Sequence, residues 1–161
     1  MSYTSFRPYP YLPQNKKYLY VPIENMFMQE AMRVRNNYSS VPQYSTGAVI
    51  VKNNQIIGRG ANQAMFTAKW YQKFHANNFC LRRFLKIKTG QKYWLCPGCA
   101  QPNKHAEAMA IKNAKKSNHD LLGSDLYLFG HWWCCKDCWD KMIGAGIKNV
   151  YLVEGASEMF K

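Results

Sequence analysis

The sequence predicts an α/β sandwich, and three observations carry that prediction. Gly47-Ala-Val-Ile-Val51 and Ile56-Ile-Gly-Arg-Gly60 flank Lys52-Asn-Asn-Gln55, the pattern of a β-hairpin around a polar turn. Leu126-Tyr-Leu-Phe129 and Val150-Tyr-Leu-Val153 read as buried strands with a helical segment between them. That strand–helix–strand order implies a parallel pair joined by a right-handed crossover.

Taken in order, residues 1–23 read as an irregular arm rich in Tyr and Pro, where prolines 8, 10, 13 and 22 oppose regular helix. The arm carries Arg7, Lys16 and Lys17. It is either a loosely packed tail or an aromatic, basic arm that touches nucleic acid. The domain proper is expected over 24–161. From Glu24 to about Arg35, Phe27, Met28, Ala31 and Met32 recur at helical spacing and predict a first helix. Residues 63–104 show no strand pattern. Short helices are expected around 64–74 and 81–85, and an insertion this long needs something to hold it, its cysteines being the obvious candidates. A helix from His105 to about Lys115 puts Ala106, Met109, Ala110 and Ala114 on one face. Another, from Lys136 to about Gly144, turns Trp139, Met142 and Ile143 inward, with Gly146 as its stop.

With 47% hydrophobic residues in 161, the chain can bury a core and fits one compact domain. No apolar run of about 18 residues predicts a transmembrane helix. MSYTSFRPYP lacks the apolar centre of a signal peptide. A cytoplasmic protein without a membrane partner is expected. Lys and Arg outnumber Asp and Glu 22 to 9, giving +13. This balance fits a polyanionic partner, an anionic substrate, or a merely soluble basic surface. Lys69-Trp-Tyr-Gln-Lys-Phe74, and Arg82-Arg-Phe84 with Lys86 and Lys88, interleave cations with rings. Such interleaving suits single-stranded DNA or RNA, and equally suits amphipathic helices with solvated lysines.

In a reducing compartment, Cys-x-x-Cys pairs are metal ligands more often than disulfides. His105 opens one predicted helix, and Cys135 with Cys138 opens another. Together they offer the three ligands of a catalytic zinc, with one position left for water. Glu107 lies in the same first turn as His105, and a carboxylate that does not bind the metal can carry a proton. Helix N-termini favour thiolate over thiol at both places. The set meets the needs of hydrolytic deamination of a nucleobase: a metal to lower the pKa of water, and a carboxylate to move its proton to the leaving amine. The alternative is a closed zinc site with Glu107 merely solvated. Cys80, Cys96 and Cys99, with His75 nearby, offer a second, tetrahedral set, in which Cys96-Pro-Gly-Cys99 supplies a tight turn. A structural zinc there would hold the 63–104 insertion. Free buried cysteines or a Cys96–Cys99 redox pair are the alternatives.

These motifs resemble the cytidine and deoxycytidylate deaminase superfamily over about residues 24–153. The resemblance runs through Thr46-Gly-Ala-Val-Ile-Val51, Gly58-Arg-Gly-Ala-Asn62, His105-Ala-Glu-Ala-Met-Ala110, Cys135-Lys-Asp-Cys138 and Gly144-Ala-Gly-Ile-Lys-Asn-Val-Tyr151. Cys80-Leu-Arg-Arg83 followed by Lys88-Thr-Gly90 is similar to deoxycytidylate deaminases. The resemblance implies a three-layer α/β/α sandwich with a mixed central sheet, usually in a homo-oligomer. It implies a catalytic zinc on His105, Cys135 and Cys138, with Glu107 as proton shuttle. It further implies that Asn62 contacts the sugar, that Ala48 and Ala106 lie where backbone groups meet the base, and that the substrate is a cytosine nucleotide such as dCMP. Some deoxycytidylate deaminases carry a second, structural zinc in this region, on a different ligand set. Trp132 and Trp133, just before the cysteine pair, either stack on the base or pack beneath the site. Three features depart from the family's pattern. Cys134 stands where proline is usual. Met109 stands where deoxycytidylate deaminases have asparagine and is similar to tRNA adenosine deaminases, which leaves a base within DNA or RNA open as substrate. A fifth strand is short or absent unless the arm supplies it. The remaining reading, a zinc-stapled nucleic-acid-binding module without catalysis, gives Glu107 no task.

Overall fold

Five strands make one mixed sheet: β1 (Tyr18–Val21), β2 (Gly47–Lys52), β3 (Gln55–Ala61), β4 (Asp125–Phe129) and β5 (Asn149–Val153), ordered β1-β5-β4-β2-β3. The computed structural model describes residues 8–88 and 90–160; Arg7 of the arm and Thr89 lie outside the described residues. The β2–β3 hairpin closes through Asn53 and Asn54, both with positive φ (50° and 60°), the two-residue turn whose twist matches the strands it joins. β4 and β5 pair in parallel across the helix α5 (Lys136–Gly144), as the strand–helix–strand pattern predicts.

Two close approaches fix the layers. Helix α1 (Met26–Tyr38) presses so near Gly47 that a Cβ there would lie 2.2 Å from the Ala31 carbonyl oxygen. Helix α4 (Ala106–Lys116) presses equally near Gly60, where a Cβ would lie 2.2 Å from the Ala110 nitrogen. Gly60 pairs with Ala48, and Ala48 points to the opposite face of the sheet from its neighbour Gly47. The two helices therefore cover opposite faces. This is the three-layer α/β/α sandwich of a cytidine-deaminase-like fold. Met28, Ile50, Leu126, Leu128, Met142 and Leu152 fill its core.

The arm is not irregular throughout. Tyr18–Val21 adds the fifth strand, parallel to β5, and Tyr18 is buried. The chain leaves the run of prolines behind by residue 18, and the open edge of β5 offers a ladder of unpaired backbone groups. Tyr18 Oη accepts the Cys134 N–H at 2.7 Å and the Trp139 Nε1–H at 3.0 Å, so the strand also anchors the segment entering α5. Tyr18→Phe leaves both buried donors unsatisfied and is expected to cost about 2–4 kcal/mol, read as a lower Tm in thermal unfolding with zinc present.

Within the insertion, α2 (Lys69–Asn77) starts five residues later than the expected 64. The backbone of the preceding residues is committed elsewhere: Gln63 N–H donates to the Lys104 carbonyl, Ala64 N–H to Ser40 Oγ and Phe66 N–H to the Pro97 carbonyl. The short α3 (Leu81–Phe84) falls where expected. No helix among the described residues is long and apolar enough to cross a membrane.

Candidate active site

His105 is the N-cap residue of α4, and Cys135 is that of α5. The sandwich brings these two helix starts together. His105 Nδ1 lies 3.6 Å from Cys135 Sγ and 3.4 Å from Cys138 Sγ, and the three ligand atoms fall within 4.8 Å of one another. A zinc with bonds near 2.0 Å to nitrogen and 2.3 Å to sulfur at tetrahedral angles sets N and S about 3.6 Å apart. The donor set and its spacing thus fit zinc. His105 Nε2 donates to the Ala100 carbonyl at 3.2 Å, which fixes the tautomer and leaves Nδ1 free to bind a metal. The hydrogen bond from Cys138 holds the Cys135 thiol down at about 5, against the burial that raises it. One sulfur of the pair is therefore readily ionised.

Glu107 sits in the first turn of α4, 5% exposed, close enough to His105 and Cys135 to act on their charges, yet outside the three-ligand group. Cys134 is fully buried and also outside that group; burial, reinforced by the Glu107 charge, pushes its thiol up. The candidate ligand group thus takes in Cys135 and Cys138 and leaves Cys134 out.

His105, Glu107 and Cys135 line a cavity of about 590 Å³ together with Asn62, Ala106, His131 and Trp133. Asn62 Oδ1 accepts from the Thr46 N–H and the Ser39 hydroxyl, and its Nδ2 donates to the Tyr44 carbonyl. It holds the 44–46 loop, and its second Nδ2 hydrogen has no hydrogen-bond partner among the described residues. Ala48 is the exception among the expected contacts: it is buried mid-sheet between Gly60 and Leu128 and does not line the cavity. Inward alternation in a central strand buries it under α4. Met109 does not line the cavity either. Sequence reasoning passed over His131. Burial, reinforced by nearby His105, pushes its imidazole down to about 4, and its Nδ1 accepts the backbone N–H groups of Trp132 and Trp133. The only signal for it was a histidine between a strand and the cysteine pair.

The second cluster also assembles. His75, Cys80, Cys96 and Cys99 gather within 4.8 Å. Cys80 Sγ lies 4.0 Å from Cys96 Sγ and 3.8 Å from Cys99 Sγ, and Cys99 Sγ lies 3.7 Å from His75 Nε2. Two sulfurs on one zinc stand about 3.8 Å apart, so this set fits as well. Gly98 is required here, since a Cβ would lie 2.3 Å from the His75 ring. Arg82 is buried against the cluster, donating to Cys99 Sγ while its guanidinium covers the Tyr93 ring at 3.9 Å. Tyr93 in turn meets His105 edge-on at 5.3 Å. The two centres are thus linked twice, through Tyr93 and through Cys99-Ala100.

No curated protein sequence matches the chain. Among solved structures, it resembles the diaminohydroxyphosphoribosylaminopyrimidine deaminase/5-amino-6-(5-phosphoribosylamino)uracil reductase of Thermotoga maritima at 24% identity and TM-score 0.48, over 83% of this chain and 32% of that one. The chain therefore spans about a third of that protein's length. It resembles the dCMP deaminase of cyanophage S-TIM5 at 22% identity and TM-score 0.49, over 83% and 86% of the two chains. It also resembles the guanine deaminase of Bacillus subtilis at 20% identity and TM-score 0.48, over 84% and 68%. The family described as cytidine and deoxycytidylate deaminase zinc-binding region matches residues 22–154, a span that takes in strands β2 to β5, both metal-ligand clusters and Glu107. The chain belongs to that family, and His105, Cys135 and Cys138 form a candidate zinc site within it.

Proposed function

We propose that the chain deaminates the cytosine of a nucleotide of the deoxycytidylate kind, giving the uracil product and ammonia. The observation that carries this reading is the open trio of His105 Nδ1, Cys135 Sγ and Cys138 Sγ, with Glu107 beside it on the wall of a nucleotide-sized cavity. In this reading His105, Cys135 and Cys138 hold the zinc, which supplies the Lewis acidity that makes water a nucleophile at neutral pH. Glu107 takes the proton released as water adds to the ring carbon. It passes that proton to the adjacent ring nitrogen and then carries the remaining hydroxyl proton to the departing amine, so the C–N bond breaks as C=O forms and ammonia leaves. Trp133 and His131 wall the base, Ala106 stands at the turn beside Glu107, and the remaining Asn62 N–H faces the sugar. His75, Cys80, Cys96 and Cys99 hold a second, structural zinc. Three thiolates on one divalent ion leave a net negative charge, which the buried Arg82 offsets.

A second reading, deamination within single-stranded DNA or RNA, has its own support. Trp70 and Phe84 are each 70% exposed and Trp94 67%, among Lys69, Lys73, Lys86 and Lys88. Exposed rings between cations suit stacked bases and phosphates. Ammonia release from dCMP, cytidine, a single-stranded oligodeoxynucleotide and tRNA separates the two. Turnover of dCMP, abolished in Glu107→Ala, is expected. Turnover of the polynucleotides alone sinks the nucleotide reading, and turnover of dCMP alone sinks the second.

A further inference from the structure

Arg35 has no task in the chemistry above, yet it lines the same cavity as His105, Glu107 and Cys135. It projects from the last turns of α1, and its placement is firm. Its Nε donates to the Ser45 carbonyl at 3.1 Å. Its guanidinium lies over the Phe129 ring at 5.4 Å and the Phe160 ring at 5.9 Å. The loop it grips, residues 44–46, is held from the other side by Asn62. Loss of side-chain freedom is therefore already accounted for in the folded protein, as a preorganised ligand-binding group requires.

What the guanidinium lacks is an anion. The ion pairs among the described residues join Glu30 to Arg33 and Arg59, Lys52 to Asp120, and Lys136 to Asp140. None includes Arg35. Its Nη1 and Nη2 have no hydrogen-bond partner among the described residues, whereas the buried Arg82, which lines the same cavity, spends all three nitrogens on Gln91, Cys99 and Lys88. A planar fork whose two terminal nitrogens are free, held by packing and facing a cavity, matches a phosphate better than a point charge would.

We propose that Arg35 binds the phosphate of the substrate and so selects a nucleotide over a nucleoside. The assignment rests on the nucleotide reading above and deepens it. Arg35 recognises the phosphate monoester and takes no part in proton transfer.

The test compares wild type, Arg35→Gln and Arg35→Lys, all checked for equal zinc content. Ammonia release is measured from dCMP and from deoxycytidine. Binding of dUMP and of deoxyuridine is measured by calorimetry. Arg35→Gln is expected to lower kcat/KM for dCMP about 10–100-fold, mostly through KM, and to weaken dUMP binding by a similar factor. Deoxycytidine turnover and deoxyuridine binding should stay within about twofold, because a ligand without phosphate does not use the fork. Arg35→Lys should fall between, keeping charge without bidentate geometry. Equal losses on dCMP and deoxycytidine, or no loss on dCMP, overturn the assignment while leaving the nucleotide reading intact. A wild type inert toward dCMP overturns both.

Discussion

Glu107→Gln is expected to lower kcat by about 10²–10⁴-fold while zinc remains bound. The amide keeps the size and polarity of the carboxylate but cannot accept the proton released by water or carry one to the leaving amine. Glu107 is 5% exposed and stands outside the ligand trio, so the substitution removes a proton carrier and not a metal donor. Ammonia release and metal content, measured on one sample, decide the matter. Activity within about threefold of wild type would sink the role of Glu107, since general acid–base catalysis contributes far more than that. A parallel loss of zinc would recast it as part of the metal site.

The second large effect is expected at the other cluster. Wild type should bind two zinc ions per chain, and Cys96→Ser or His75→Ala should bind one. A structural zinc contributes on the order of 10 kcal/mol of folding free energy. Its loss should therefore lower Tm sharply and loosen residues 64–104, as hydrogen exchange would show. Activity should fall too, by about 10–100-fold, the usual cost of losing a group that orients a metal ligand. The route is short: Cys99 is followed by Ala100, whose carbonyl fixes the His105 ring. One zinc per chain in wild type would sink the second centre. One zinc in the variant with unchanged kcat would sink the coupling.

Much of the site was legible because its chemistry is local. His105 and Glu107 are two residues apart at one helix start, and Cys135 and Cys138 share a turn at another. Spacing of that kind survives whatever the tertiary arrangement does. The hairpin was equally legible, because Asn53-Asn54 supplies the positive φ that a two-residue turn demands. Ala48 shows the limit. Its place in the motif could be read, but its direction depends on which sheet face α4 covers, and it turns into the core. Likewise the late start of α2 was hidden, because residues 63–66 bond to the 97–104 stretch and to Ser40, partners that no local pattern reveals.

The sequence by itself determined the family, the α/β alternation, and the His-x-Glu and Cys-x-x-Cys motifs that supply the candidate ligands and proton carrier, since each motif is written in short-range spacing. Only the tertiary structure decided what long-range packing controls. It made Tyr18–Val21 the fifth strand, because β5 offered an open edge. It left Cys134, buried beside the pair, out of the metal group. It joined the two clusters through Ala100 and Tyr93, and it set Arg35, 70 residues before His105 in sequence, on the wall of the same cavity. Periodicity reports which face of an element is apolar; which other element meets that face is decided by burial across the whole chain.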